Sequence, residues 1–77
     1  MLFVRSAEYA GGHRIRVAFS DGAAGCVDLG PLVAADHRAI VRELADIARF
    51  CRFRLALDTV VWDNGFDLAP EYLRSLI

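Results

Sequence analysis

Between Arg14 and Leu29 the chain has little freedom of register. In Arg14–Phe19, Ile15, Val17 and Phe19 fall on one face, and Arg14, Arg16 and Ala18 on the other. A period of two is that of a strand with one buried face. Ser20-Asp21-Gly22 marks a hairpin turn, and the next strand spans roughly Ala24–Leu29. A two-residue Asp21-Gly22 loop would pair Ser20 with Ala23. That register sets Arg16 opposite Val27 and Ile15 opposite Asp28, mixing charge with core on each face. A three-residue Ser20-Asp21-Gly22 loop, with Gly22 in the left-handed bulge position, pairs Phe19 with Ala23 instead. Ile15 then faces Val27, Leu29 joins the same apolar side, and Arg14 meets Asp28 as an outer-face ion pair. A one-residue slip turns every side chain over, so the longer loop is preferred.

The remaining segments assemble around this hairpin. Leu2–Tyr9 reads as a first strand stopped by Gly11-Gly12. Gly30-Pro31 ends the third strand. Ala35–Ala48 carries Ile40, Leu44 and Ile47 at i, i+4, i+7, widened by Val41 and Ala48, and reads as one amphipathic helix. Asp36 caps or charges its first turn, and Arg42–Asp46 forms an exposed i,i+4 pair. Phe50–Leu57 alternates again, with Phe53, Leu55 and Leu57 one way and Arg52, Arg54 and Ala56 the other. Asp58-Thr59 reads as a tight turn, Val60–Trp62 as a returning strand, Asn64-Gly65 as a turn, and Pro70–Leu76 as a short helix. The expected class is α+β: an antiparallel sheet (three strands, helix, two strands) covered on one face by one amphipathic helix, with a short C-terminal helix. Residues 1–77 form a single small domain.

Composition narrows the function. At this size a folded chain buries only about 60 % of the surface it exposes when unfolded, yet 56 % of the residues are hydrophobic. Either apolar surface is left for a partner or a second copy, or the twelve alanines inflate the figure. Formal net charge is −1, and the nine basic residues, all arginine, are interspersed with acids. A nucleic-acid footprint needs basic residues gathered on one face. Cys26 and Cys51 fit neither a disulfide framework nor a zinc pattern and read as buried reduced thiols. No metal, cofactor or small-molecule substrate is expected. No stretch approaches a membrane span, so a cytoplasmic protein is the default expectation.

Two stretches, "VAFSDGAAGCVDLGPLV" (Val17–Val33) and "VVWDNGFDLAPEYL" (Val60–Leu73), resemble the small bacterial family catalogued as domain of unknown function 2442. The shared features are a hydrophobic–Phe–Ser–Asp–Gly turn, the following Val-Asp-Leu, and the later Trp-x-Asn-Gly-x-Asp-Leu-x-Pro-Glu. Many members carry Pro where this chain has Asp63. The resemblance implies a small α+β domain with an antiparallel sheet and no established activity. Some members carry an added helix-turn-helix segment, and others look like one half of a two-gene, toxin–antitoxin-like pair. With its last residue at Ile77, the chain is expected to lack a DNA-reading helix pair.

The candidate interaction residues are Trp62, Asp63, Asn64 and Asp67. In one reading Trp62 closes the core, Asn64-Gly65 turns the chain, and Asp67 satisfies amides at the terminal helix. In the other the four form a recognition patch, aromatics being favoured interface anchors. His13 and His37 are the only imidazoles, read as solvated, with no carboxylate partner visible in the sequence, and no nucleophile elbow or phosphate loop is present. No catalytic residue is assigned, and an enzyme is not expected. The expected role is a non-enzymatic protein–protein interaction module, self-associating or antitoxin-like beside a neighbouring gene product. The alternative is a nucleic-acid-associated transcriptional regulator using Arg14, Arg16, Arg52 and Arg54 on one outward sheet face.

Overall fold

The computed structural model describes residues 1–77. Strands β1 (Val4–Tyr9), β2 (Arg14–Phe19) and β3 (Ala24–Asp28) form one antiparallel sheet in the order β1-β2-β3. Its second hairpin has the longer loop. Ile15 stands opposite Val27 and Arg14 opposite Asp28. The Phe19 amide donates to Ala23 O at 2.8 Å, and Gly22 takes φ +90°. Ile15, Val17, Phe19 and Val27 are buried to within 1 %. The expected ion pair does not form: the Asp28 carboxylate instead accepts the Gly30 amide at 2.9 Å. A nearby backbone donor is already ordered, whereas a long arginine on an open face must give up side-chain entropy to pair.

β1 pairs with β2 through a bulge, because Val4 faces Phe19 while Ser6 faces Ala18. Arg5 is the extra residue, and the bulge lets both Val4 and Ala7 reach the core despite their spacing of three.

The later strands do not extend the first sheet, as a single five-stranded sheet would require, but form a second antiparallel sheet of three: β4 (Phe53–Ala56), β5 (Thr59–Trp62) and β6 (Asp67–Leu68), in that order. All four residues of β5 are buried. The β4–β5 turn is Leu57-Asp58, one residue earlier than Asp58-Thr59, since Ala56 pairs with Thr59. Both loop residues take positive φ, +53° and +65°. That is the requirement of a two-residue turn matching the strand twist. The Val4 amide donates to Asp58 O at 2.9 Å and ties the two sheets together.

The single helix expected over Ala35–Ala48 is not formed. The segment instead contains α1 (Gly30–Ala35), α2 (Ala39–Arg42), a 3₁₀ turn (Glu43–Ala45) and α3 (Ile47–Phe50). Aspartates cause both main interruptions. Asp36 ends α1 with ψ 123°, and its carboxylate accepts the Arg38 amide at 3.0 Å and the Arg38 guanidinium at 2.6 Å. Asp46, at ψ 117°, accepts the Ala48 amide at 3.1 Å and restarts the chain as α3. Short polar side chains that bond neighbouring amides compete with a continuous helix. The restart changes the helical phase: Ile47 faces out while Phe50 is fully buried. Asp46 consequently lies 3.9 Å from Arg49 and makes no pair with Arg42. The terminal helix α4 runs Pro70–Arg74. No helix is long and apolar enough to cross a membrane.

The inner faces of both sheets, with Val33, Val41, Leu44, Phe50 and Leu73 from the helical segments, join one hydrophobic cluster. Phe50 is its aromatic centre, with Trp62 at 5.8 Å and His13 at 4.8 Å between ring centroids. The outer face of the first sheet is open. Cys26 lies there, and Cys51 follows α3; both are exposed, which corrects the buried-thiol expectation. The register that puts Val27 inside necessarily puts Cys26 outside.

Candidate interaction site

The turn Trp62–Phe66 repeats the construction of Phe19–Ala23. The Trp62 amide donates to Phe66 O at 2.8 Å, as Phe19 does to Ala23. Gly65 has φ +91°, and the Asn64 Oδ1 accepts the Phe66 amide at 3.0 Å. Asp21 Oδ1 accepts Ala23 N at the same distance in the first loop. An aromatic, one residue, Asp or Asn, then Gly is therefore a local code for a three-residue loop with a glycine bulge.

The second copy of this turn is also clamped from outside. Asn64 Nδ2 donates to Ile40 O at 2.8 Å and to Glu43 Oε1 at 3.0 Å. The Arg38 guanidinium lies 5.6 Å from the Phe66 ring centroid. Trp62 is 1 % exposed, and its indole Nε1 donates to Phe50 O at 2.8 Å. Asp63 is exposed, 3.5 Å from Arg54. Trp62, Asp63 and Asn64 thus come together beside Arg49 and Arg52 around a shallow groove of about 310 Å³. Asp67 does not join them. It stands opposite Val61 in β6, exposed, and α4 begins at Pro70 after Ala69 with no side-chain cap, so the expected role of Asp67 at that helix is not found.

His13 is half-buried rather than a free surface histidine. Its Nε2 lies 2.8 Å from Leu44 O. A carbonyl only accepts, so this nitrogen donates. Its ring edge packs on Phe50, and the β1–β2 turn is thereby pinned to the helical segment. His37 is exposed. Nearby, Tyr9 donates its hydroxyl to Gly12 O at 2.9 Å. Partial burial, and next the adjacent Cys51, push its phenol above the usual range.

The four arginines do not share one sheet face. Arg14 and Arg16 belong to β2, Arg52 precedes β4, and Arg54 in β4 is engaged with Asp63.

A second surface was hidden in the sequence. Strand β4 is the edge of its sheet, hydrogen-bonded only to β5. A two-residue turn makes Ala56 and Thr59 a hydrogen-bonded pair, so Arg54 and Ala56 turn their backbone groups toward β5. Phe53 and Leu55 turn theirs outward, where no other backbone group meets them. Leu55 is 43 % exposed and Leu57 is 86 % exposed. With Phe3, Val4, Arg5, Ala56 and Asp58 they line an open groove of about 420 Å³ between the start of β1 and β4. The alternation of Phe53, Leu55 and Leu57 announced an apolar face; only the structure shows that its outer end is left uncovered.

Two small antiparallel sheets sharing one core, joined by broken helical segments and presenting an open apolar edge, define the class: a small α+β domain. The family described as Protein of unknown function (DUF2442) matches residues 4–77, and the chain belongs to it. No curated protein and no solved structure matches the chain.

Proposed function

We propose that this chain is a non-enzymatic protein–protein interaction module acting through the open edge of β4. The observation that carries the reading is Leu55, whose backbone groups face away from the sheet and whose side chain stands half in solvent. The one charge within β4, Arg54, is engaged by Asp63, whereas domains that work alone blunt an edge of this kind with free charge, proline or a covering element. Here it is flanked by Leu57 and Phe3, also exposed. An extended partner strand gains main-chain hydrogen bonds along such an edge and side-chain contacts beside it.

In the antitoxin-like form of this reading the partner is the product of a neighbouring gene, and co-expression is the natural assay. The test is light scattering of the purified chain, together with recovery of bound protein from native lysate, each repeated with Leu55→Arg. Assembly or retention that Leu55→Arg abolishes is expected. A strict monomer that retains nothing, or retention that ignores Leu55→Arg, contradicts the reading.

A further inference from the structure

We propose that the occupant of the β4 edge is a second copy of the same chain, paired antiparallel about a two-fold axis at Leu55. This rests on the interaction-module reading and names its partner. Antiparallel pairing must join outward-facing residues in hydrogen-bonded pairs, and in β4 these are Phe53 and Leu55. A two-fold axis requires a residue to meet itself or its neighbours symmetrically.

With Leu55 on the axis, Leu55 meets Leu55 of the second copy and Arg54 meets Ala56; beyond these ladder pairs Phe53 comes beside the turn residue Leu57, and the long Arg52 side chain comes within reach of Asp58 in the same turn. This register places the 86 % exposed Leu57 against another apolar residue. It also joins two opposite charges that have no ion-pair partner within their own chain, since the four salt bridges involve neither Arg52 nor Asp58. Symmetry makes each of these contacts twice, except Leu55–Leu55, which lies on the axis. Moving the axis to Arg54 would set Arg54 against Arg54, a like-charge pair directly opposite, which is unfavourable. Moving it to Ala56 leaves Arg52 unmatched and draws Arg54 away from Asp63, 3.5 Å distant in the isolated chain. Moving it to Phe53 sets Arg52 opposite Arg54, again like charges, so the Leu55 register alone satisfies backbone geometry, apolar matching and charge together. It joins two three-stranded sheets into one of six strands.

Leu57 supports the same inference independently. It holds φ +53°, a region unfavourable to leucine, while exposing nearly all its side chain. The turn requires this φ but not a leucine, and the exposed apolar side chain does not serve the isolated domain; a contact made by that side chain accounts for its presence.

The experiment is sedimentation velocity across a wide concentration range on the full chain and on Arg52→Glu, Asp58→Arg and the double variant. All substitutions lie on exposed positions, and circular dichroism checks that each folds. A dimer is expected, weakened about tenfold or more by either single reversal and restored in the double variant, where the charges are exchanged. A monomer at every concentration overturns the second-copy proposal. So does a dimer indifferent to the single reversals, or one that the double variant fails to restore. If the monomer nevertheless retains a different protein in a manner sensitive to Leu55→Arg, the dimer is overturned while the interaction module stands.

Discussion

Asn64 holds more of the molecule together than its exposed position suggests. One oxygen closes its own turn on the Phe66 amide, and its amide nitrogen reaches the Ile40 carbonyl and the Glu43 carboxylate. Asn64→Ala removes all three bonds and is expected to cost about 1–3 kcal/mol, read by urea unfolding. Asn64→Asp keeps the acceptor, loses both donations and sets a carboxylate beside Glu43, so it recovers little of that loss. Trp62→Phe keeps most of the buried ring but orphans the Phe50 carbonyl, and is expected to cost about 1–3 kcal/mol in the same assay. Leu57 behaves in the opposite sense. Asparagine tolerates its left-handed backbone, so Leu57→Asn is expected to stabilise the monomer by about 1 kcal/mol while weakening self-association. Thermal unfolding at low concentration and sedimentation at high concentration separate the two effects.

At the scale of elements, the hairpins were legible and the helix was not. Alternation plus side-chain chemistry on two faces fixed the β2–β3 register, and the glycine position fixed the loop. β1 was blurred because a bulge at Arg5 breaks its period. The helical stripe Ile40, Leu44, Ile47 was real for its first two members only, because Asp46 restarts the backbone between Leu44 and Ile47. An aspartate inside a helical pattern reads as a surface residue until its carboxylate is seen to take a neighbouring amide. Asp36 makes the same point electrostatically. The Arg38 guanidinium, bonded to its carboxylate, and next the Arg38 amide hold its pKa at about 2, below the ordinary 3.8. A depressed folded-state pKa means that this contribution to stability is fully present above the ordinary value and is lost as pH falls through about 2. An NMR titration of the Asp36 carboxyl is expected to show a midpoint near 2. Arg38→Ala removes the guanidinium but keeps the amide, and is expected to raise the midpoint toward the ordinary carboxylate range without fully restoring it.

At the scale of the whole molecule, the inward-facing residues of β2 and β3 could be named from the sequence, but those of the helical segment and the arrangement of exposed residues could not. The WDNG motif combines an aromatic, an Asx-Gly pair and an acid, the composition of a recognition patch. Its aromatic is core, its asparagine is a clamp, and Asp67 lies apart from the groove beside them. The surface at β4 depends on which sheet the strand joins and on which side it is left unpaired. Both are properties of topology, and no local spacing carries them. The charge pattern of Arg52 and Asp58 acquires meaning only once β4 is known to be an edge. The most direct measurement is amide hydrogen exchange along β4 as a function of protein concentration. Arg54 and Ala56 are expected to be protected throughout, because they bond to β5, while Leu55 exchanges freely when dilute and becomes protected as concentration rises. A Leu55 amide as protected as Arg54 at every concentration, or equally free at the highest, would contradict the account.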